Sequence, residues 1–298
     1  MTVVLIDGAR VSADEARVSV LDRGFLFGDS VFEVLRTYAG RPFALEEHLD
    51  RLERSMRGMH MRQTFARAAL RDEVERAIQA HREGSEDEAY VRLIVTRGQG
   101  VLHLDPRRAT GSNTRVVIVA PLLPLPDDLD AGVSVATVHI HRPTDGTSAM
   151  GAKISAYVAN LLALVEAQSR GAYEAVFSDA DGMISEGSSS NLFRVVGETV
   201  ETPPLSTGAL PGITRRHVLD AARDLRLVVR ERMLSARDFE RADEAFLTSS
   251  LREVVPVTRI DGAPVGSGRV GPVTERLRAA YRARVLRATA VDAPRSVR

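Results

Sequence analysis

The sequence predicts a mixed fold, α/β or α+β, divided into two domains. Strand-like and helix-like segments alternate on both sides of a stretch with three prolines, which disfavour helix and central strand alike. At 298 residues, with 44% hydrophobic and 27% charged side chains, the chain can bury a sizeable core. We expect a smaller N-terminal domain at 1–120, a linker at 121–130 and a larger C-terminal domain at 131–298.

Each element follows from the spacing of its apolar residues. Alternation or short apolar runs predict strands, and recurrence every three to four positions predicts helices. Asp7-Gly8 is a strong hairpin signal after the first strand, and the last stretch, 288–298, is expected to fray. The first half is predicted to contain strands over 3–6, 31–38, 90–96 and 115–120, with helices over 45–61 and 64–82. The second half is predicted to contain strands over 132–140, 175–178, 192–196, 227–229 and 244–248, with helices after Lys153 and near 213–224 and 272–287.

Composition excludes several classes of function. The net charge is zero, so the sequence favours neither a nucleic-acid partner nor a polyanion. Without cysteine there is no disulfide, thiolate metal site or cysteine nucleophile, and no metal site is expected. Charges appear too early for a signal peptide, and prolines interrupt the longest apolar stretch, at 116–125, so we expect no membrane span and a cytoplasmic protein.

A single lysine stands out among the basic residues. The 40 cationic side chains comprise Lys153 and 39 arginines. An arginine stays protonated and cannot form a Schiff base, whereas a buried lysine can lose its proton and act as a nucleophile or base. A position that keeps lysine against this bias is a candidate for amine chemistry.

Three further segments could serve a cofactor held by that lysine. Glu186 ends a short apolar run before a Gly-Ser turn, which would direct its carboxylate into a cleft. Gly212 precedes a helix that opens with Ile213-Thr214, and free N–H groups at such a helix start bind anions. A second candidate anion loop, Thr248 to Ser250, follows a strand directly. An amine, a carboxylate and phosphate-binding turns are the groups that pyridoxal phosphate requires.

In these segments and their order, the chain resembles the class IV, or fold type IV, pyridoxal-phosphate-dependent aminotransferases. The family includes branched-chain aminotransferases, D-amino-acid aminotransferases and aminodeoxychorismate lyases. The resemblance runs from about Val3 to Val285. The segments that carry it are DRGFLFGDSVFEVLRTY (22–38), EHLDRLERS (47–55), AYVRLIVTRGQG (89–100), GAKISAYVANLLA (151–163), ISEGSSSNLF (184–193), LPGITR (210–215), EAFLTSSLREVVPV (244–257) and GPVTERL (271–277).

The resemblance implies a role for each matching residue. Lys153 would form the Schiff base with pyridoxal 5'-phosphate and shuttle the proton, while Glu186 would pair with the pyridine nitrogen. Tyr157 would hydrogen-bond the phenolic oxygen of the cofactor. The phosphate would be bound by Arg51 and by the two turns, at Gly212, Ile213, Thr214, Ser249 and Ser250. The family further implies a homodimer, with the active site between the domains and a partner loop near the substrate.

The substrate is less sharply defined. Tyr90-x-Arg92 resembles the branched-chain pattern, in which this pair helps to hold the α-carboxylate; Phe27 and Phe32 suggest an apolar pocket, and Ser250 and Leu251 would complete it. The expected reaction moves an amino group from a branched-chain L-amino acid to a keto acid such as 2-oxoglutarate.

Departures from the branched-chain pattern keep other activities open. Phe27 replaces a tyrosine, a triple serine follows Glu186 and Gly187, and TSSL replaces a glycine-containing turn. Arg23, Arg36 and Arg97 could form a different carboxylate clamp, and His103 is part of an incomplete D-amino-acid trap. The alternatives are a D-amino-acid transaminase, an aminodeoxychorismate lyase, an (R)-amine transaminase, or a pyridoxal-phosphate-binding protein without transaminase activity.

Overall fold

The computed structural model describes residues 1–140 and 146–290. Its first half forms an antiparallel sheet with two long helices on one side. The strands are β1 (Val3–Ile6), β2 (Ala9–Val11), β3 (Ser30–Tyr38), β4 (Arg41–Pro42), β5 (Ala89–Thr96) and β6 (Arg115–Pro121). The helices are α1 (Arg23–Phe27), α2 (Leu45–Gly58) and α3 (Arg67–Arg82).

Strand order in this first sheet is β2-β1-β6-β5-β3-β4. The predicted apolar stripe of α2 packs on β3, and α3 covers β1, β5 and β6. Together they form one buried cluster. The opposite face of β3 and β5 presents Phe32, Val34, Tyr90 and Arg92, which alternate with the buried residues of the same strands.

The second half forms a larger, mixed sheet. Its strands are β7 (Val133–Val138), β8 (Glu174–Ser178), β9 (Met183–Gly187), β10 (Asn191–Val196), β11 (Thr199–Thr202), β12 (Val228–Glu231), β13 (Leu234–Ser235), β14 (Glu244–Ser249), β15 (Glu253–Ile260) and β16 (Ala263–Pro264). Its helices are α4 (Val158–Ser169), α5 (Ile213–Asp224), α6 (Ala236–Glu240) and α7 (Pro272–Thr289).

Strand order in the second sheet is β12-β11-β10-β14-β15-β7-β8-β9-β13, with β16 beside β15. Pairing is parallel for β11/β12, β15/β7 and β7/β8, and antiparallel elsewhere among the described strands. Helices α5 and α7 pack on one face around Phe193, Phe246 and Tyr281, and α4 packs on β7 and β8. Mixed helices and strands around curled sheets match the predicted fold class.

The predicted elements lie close to the observed ones. Helix α5 has the predicted bounds, and α2 ends three residues earlier than expected, at Gly58. The predicted linker begins at the last residue of β6, and its end overlaps a short 3-10 helix, Asp127–Ala131. Most of the stretch predicted to fray, 288–298, lies outside the described residues. Within the described part of the chain, α7 continues to Thr289.

Two absences apply to residues 1–140 and 146–290. No helix there is long and apolar enough to cross a membrane. No group of three or more His, Asp or Glu side chains in the same residues is arranged to hold a metal ion.

Candidate active site

A cavity of about 880 Å³ opens between the two sheets. The face of β3 and β5 that points away from α2 and α3 forms one wall. The other wall is formed by the turn after β9, the turn after β14 and segment 203–212. Segment 121–125, within the predicted linker, lies at its mouth and contributes Leu122, Leu123 and Leu125. The cavity brings together these predicted site residues: Arg51, Lys153, Tyr157, Glu186, Gly212, Ile213, Thr214, Ser249, Ser250, Leu251, Tyr90, Arg92 and Phe32.

The backbone of Lys153 is fixed to the first half of the molecule. Phe32 N–H donates to the Lys153 carbonyl at 3.0 Å, and the Lys153 N–H donates to Ser55 Oγ at 3.0 Å. Ser155 N–H donates to the Ser30 carbonyl at 2.9 Å, which continues the pairing with β3. The lysine therefore enters the cavity from a rigid segment just before α4.

The side chain of Lys153 lies over aromatic rings within the cavity. Its Nζ is 4.5 Å from the centre of the Phe32 ring and 5.7 Å from that of Tyr157. Burial, reinforced by the nearby positive charge of Arg51, lowers the pKa of Lys153 to about 8. An appreciable fraction of the amine is thus unprotonated near neutral pH, as a nucleophile or base requires.

Arg51 is held by a buried carboxylate. Glu33 Oε1 accepts from Arg51 Nε at 2.7 Å, and Glu33 Oε2 accepts from Arg51 Nη2 at 2.6 Å and contacts His48 Nδ1 at 2.7 Å. Burial alone would raise the pKa of Glu33, but Arg51 outweighs burial and lowers it to about 2. The two-point contact fixes the guanidinium plane, and its Nη1 reaches the Pro211 carbonyl at 3.2 Å.

The start of α5 lies beside this guanidinium. Gly212 precedes the helix, and no side chain caps its first N–H groups. A Cβ on Gly212 would lie 2.0 Å from Asn191 Oδ1, so a larger residue here would displace the Asn191 side chain. Arginine and free helix N–H groups together form a site suited to an anion.

Glu186 is oriented by two donors. Its Oε2 accepts from the Leu210 N–H at 2.8 Å and from Asn191 Nδ2 at 3.2 Å. Asn191 also donates to the Leu210 carbonyl at 2.9 Å, which ties this carboxylate to the turn that leads into α5.

Aromatic and cationic side chains line the opposite wall. The Phe32 and Tyr157 rings meet edge to face at 5.3 Å, and burial, with Glu186 nearby, raises the pKa of Tyr157 to about 12. Arg92 lies 4.4 Å from the Phe32 ring centre and donates to Tyr90 Oη at 3.3 Å. Within the described part of the chain Arg92 makes no ion pair with a carboxylate, so its charge faces the cavity.

The turn after β14 adds hydroxyl groups. Ser249 Oγ accepts from Arg252 Nε at 3.1 Å, while Ser250 and Leu251 line the cavity. Thr248 Oγ1 is buried beside them and has no hydrogen-bond partner among the described residues. A buried hydroxyl of this kind is suited to a ligand atom.

Other candidates lie outside the cavity. Phe27 is 41% exposed and is absent from the cavity lining of this chain, although it was expected in the substrate pocket. Arg23 and Arg97 both donate to Asp29 and to backbone carbonyls. Arg36 donates to the Leu251 carbonyl and pairs with Glu253. These contacts give the three arginines structural roles, and the exposed His103 accepts from the Asp105 N–H.

Sequence reasoning missed several residues around the site. Glu33, Asn191 and Arg252 lie within segments that carry the family resemblance, but the sequence assigns them no role. Their importance appears only when distant segments meet, as when Arg252 Nη1 donates to Glu174 Oε2 at 2.6 Å across 78 positions of sequence. Only the leucines of segment 121–125 offered a signal in the sequence. Apolar residues clustered in a predicted linker indicate that the linker contacts a ligand or another part of the protein.

A buried amine with a lowered pKa, a fixed carboxylate and an anion site in one cavity define an enzyme for amine chemistry. The amino-transferase class IV family model matches residues 30–260. The chain belongs to the amino-transferase class IV family and is an aminotransferase.

Relatives and solved structures agree with this assignment. The chain is 35% identical over 279 residues to a putative branched-chain-amino-acid aminotransferase of Methanocaldococcus jannaschii, covering 94% of this chain and 95% of the relative. The structure of Escherichia coli branched-chain amino acid aminotransferase superposes with a TM-score of 0.89 at 30% identity, covering 97% and 96% of the two chains. A T.th. branched-chain amino acid aminotransferase, solved with pyridoxamine 5'-phosphate, gives a TM-score of 0.87 at 31% identity, covering 97% and 95%.

Proposed function

We propose that this aminotransferase uses pyridoxal 5'-phosphate to move the amino group of a branched-chain L-amino acid to a keto acid such as 2-oxoglutarate. The observation that carries the proposal is the placement of Lys153, with its lowered pKa, in one cavity with Glu186 and Arg51. The names of the relatives support the substrate class.

The chemistry of the cavity fits this cofactor. Arg51, the first N–H groups of α5 and the hydroxyl of Ser250 are donors suited to a phosphate, and the unpartnered Thr248 hydroxyl lies beside them. Glu186 is an acceptor for a protonated ring nitrogen, and Tyr157 is a donor for a phenolic oxygen. Ser249 and Gly212 support the two turns that carry these donors.

When bound, the cofactor supplies an electrophilic aldehyde and a ring that accepts the electron pair released at Cα. Lys153 would provide the amine that condenses with the aldehyde, with loss of water. Once replaced there by the amine of the substrate, it would be the base that takes up the Cα proton. A pKa of about 8 is close enough to neutral pH for Nζ both to take up and to release a proton. Glu186 holds a proton on the ring nitrogen, and Arg51 and the α5 turn fix the position of the ring.

The substrate pocket combines the guanidinium of Arg92, which makes no ion pair within the described residues, with apolar walls. Arg92, supported by Tyr90, is placed to bind a substrate carboxylate. Phe32, Val34 and the leucines of segment 121–125 supply apolar surface for an aliphatic side chain and exclude water from the reacting atoms.

We further propose a homodimer. Helix α4 exposes Val158 (66%), Leu161 (58%), Leu162 (57%) and Val165 (54%), at the i, i+3, i+4 and i+7 spacing that places them on one face. In this arrangement Phe27, which is absent from the cavity lining of its own chain, belongs to a loop that reaches the partner's site.

A half-reaction panel tests the function. The purified enzyme, loaded with pyridoxal phosphate, is mixed with L-leucine, D-alanine or an (R)-amine, and the absorbance of the bound cofactor is followed. We expect rapid conversion by L-leucine and little by D-alanine. The reverse order would replace the substrate assignment with the D-amino-acid activity, and no conversion by any amine would leave only cofactor binding.

Lys153→Ala is the control for the chemistry. It should abolish covalent attachment of the cofactor, measured by mass spectrometry after borohydride reduction, and stop transamination. Transamination at the normal rate in this variant would overturn the proposed role of Lys153.

A further inference from the structure

A buried carboxylate lies directly beneath the serine turn, residues 187–190, that follows Glu186. Glu174 of β8 is 1% exposed. Its Oε1 accepts from the Ser189 N–H at 2.8 Å, from Ser189 Oγ at 3.1 Å and from Ser190 Oγ at 2.9 Å. One carboxylate therefore fixes most of the polar groups of this turn.

Arg252 joins the serine turn to a second turn, residues 249–252. Its Nη1 donates to Glu174 Oε2 at 2.6 Å, its Nη2 to Ser189 Oγ at 2.9 Å and its Nε to Ser249 Oγ at 3.1 Å. All three nitrogens of a planar guanidinium are engaged, so its orientation is fixed. Burial disfavours the charge, but Glu174 outweighs burial and raises the pKa of Arg252.

The space beside Gly187, beneath the serine turn, is filled. A Cβ on Gly187 would lie 2.3 Å from Ser190 Oγ and 2.8 Å from Glu174 Oε1. Both turns line the cavity, with Ser188 to Ser190 on one and Ser249 to Arg252 on the other. Because Ser249 Oγ accepts from Arg252, the guanidinium is tied to the residue next to Ser250, and Ser250 lines the same cavity.

We propose that Arg252, anchored by Glu174, is a positioning residue that fixes the 249–252 turn against the 187–190 turn. Ser250 is thereby held for the phosphate of the cofactor, and Leu251 for the substrate. The inference rests on the proposed function, since the ligands of these two residues are the ones assigned there. Neither Arg252 nor Glu174 takes part in proton transfer.

Arg252→Gln tests the proposal in the full chain. Glutamine removes the charge and cannot make three separate contacts, so the 249–252 turn loses its anchor. In cofactor-stripped protein we expect the Kd for pyridoxal phosphate to rise about tenfold, roughly the loss of one charge-assisted hydrogen bond. In the loaded enzyme we expect the KM for the amino acid to rise more than kcat falls.

Three further variants make the result interpretable. Arg252→Lys keeps the charge but loses the planar fork, so it should give an intermediate Kd. Ser189→Ala removes one hydroxyl shared by Arg252 and Glu174, and should raise Kd about threefold in a protein that folds even if Arg252→Gln does not. Arg223→Gln, the same change in an exposed ion pair with Asp220, should leave Kd and KM unchanged.

Two outcomes would overturn the proposal. If Arg252→Gln and Ser189→Ala lower the melting temperature of the cofactor-free protein but leave Kd and KM within about twofold, the network is merely structural. If the wild-type protein does not bind pyridoxal phosphate, the proposed function fails and this inference with it. In the first case the proposed function still stands, because the wild-type protein binds pyridoxal phosphate and only the role of Arg252 is removed.

Discussion

Lys153 illustrates how a single residue acquires its chemistry from its surroundings. Its backbone is fixed by Phe32 and Ser55, and its amine lies near Arg51, Arg92, Glu33 and Glu186. Desolvation is the largest influence on its pKa, and the two arginines reinforce it against the two carboxylates. The unprotonated amine is thus more populated near neutral pH than in an ordinary lysine, without a dedicated base.

Covalent capture of pyridoxal phosphate by cofactor-free protein should therefore depend on pH. Only the neutral amine attacks an aldehyde, so the capture rate should rise as pH approaches 8 and level off above it, because the pKa of Lys153 is about 8. Borohydride trapping followed by mass spectrometry measures the rate. Lys153→Ala gives the background from the N-terminal amine. A rate still rising toward pH 10 would show that the folded protein does not lower this pKa.

The site residues that could be predicted from the sequence are those that lie in a recognisable local motif. Lys153, Glu186, Arg51 and the 212–214 turn are of this kind, and the structure places all of them in the cavity. Glu33 and Arg252 could not be found, because their significance lies in partners distant in sequence. The arginines 23, 36 and 97 show the converse: charge alone suggested a clamp, but buried acceptors take up their donors.

At the scale of elements, helices with strong apolar periodicity were predicted with bounds close to the observed ones. The elements that were missed had local causes. Helix α5 was predicted near 213–224 and is observed there, because its apolar positions follow the helical period. Strand β15 was missed because Pro256 lies within it, and proline lacks the N–H of a central ladder. The five-residue α1 was missed because its capping residue, Asp22, is the main local signal for so short a helix.

The start of α5 yields a sharp prediction for Gly212→Ala. The new Cβ would meet Asn191 Oδ1 at 2.0 Å, so Asn191 must shift and Glu186 loses a donor. We expect a loss of about 1–3 kcal/mol in the free energy of unfolding and faster cofactor release, measured by urea titration and by dialysis. Gly111→Ala is the control, since its nearest neighbour is 3.9 Å away. Equal stability of the two variants would contradict this packing.

On the scale of the whole molecule, the two sheets enclose one cavity, and each contributes a different set of functional side chains to it. The first sheet contributes Arg92 and the aromatic wall, while the second carries Glu186 and the serine turns. The exposed apolar face of α4 lies outside this arrangement and is the basis for the proposed dimer. A two-domain organisation remains a prediction from the sequence.

The dimer proposal predicts that Leu162→Glu dissociates the protein. A charge on this face removes apolar area from the contact and leaves a buried carboxylate unpaired, so the monomer should predominate at micromolar concentration. Sedimentation velocity measures the species. Val228→Glu, at a comparably exposed apolar position on β12, should leave the dimer intact. A monomeric wild-type protein would refute the proposal.

The pairing of the lysine segment with β3 also governs where the protein can open. Ser30, Phe32 and Ser55 anchor residues 153–155 through backbone and hydroxyl contacts at the base of the cavity, so hinge motion between the sheets would break all three. Segment 121–125 at the mouth is far less restrained: Leu122 N–H donates to the Glu88 carbonyl, and Leu123 is 79% exposed. We therefore expect segment 121–125 to shift more readily than residues 153–155 when a substrate enters or leaves the cavity.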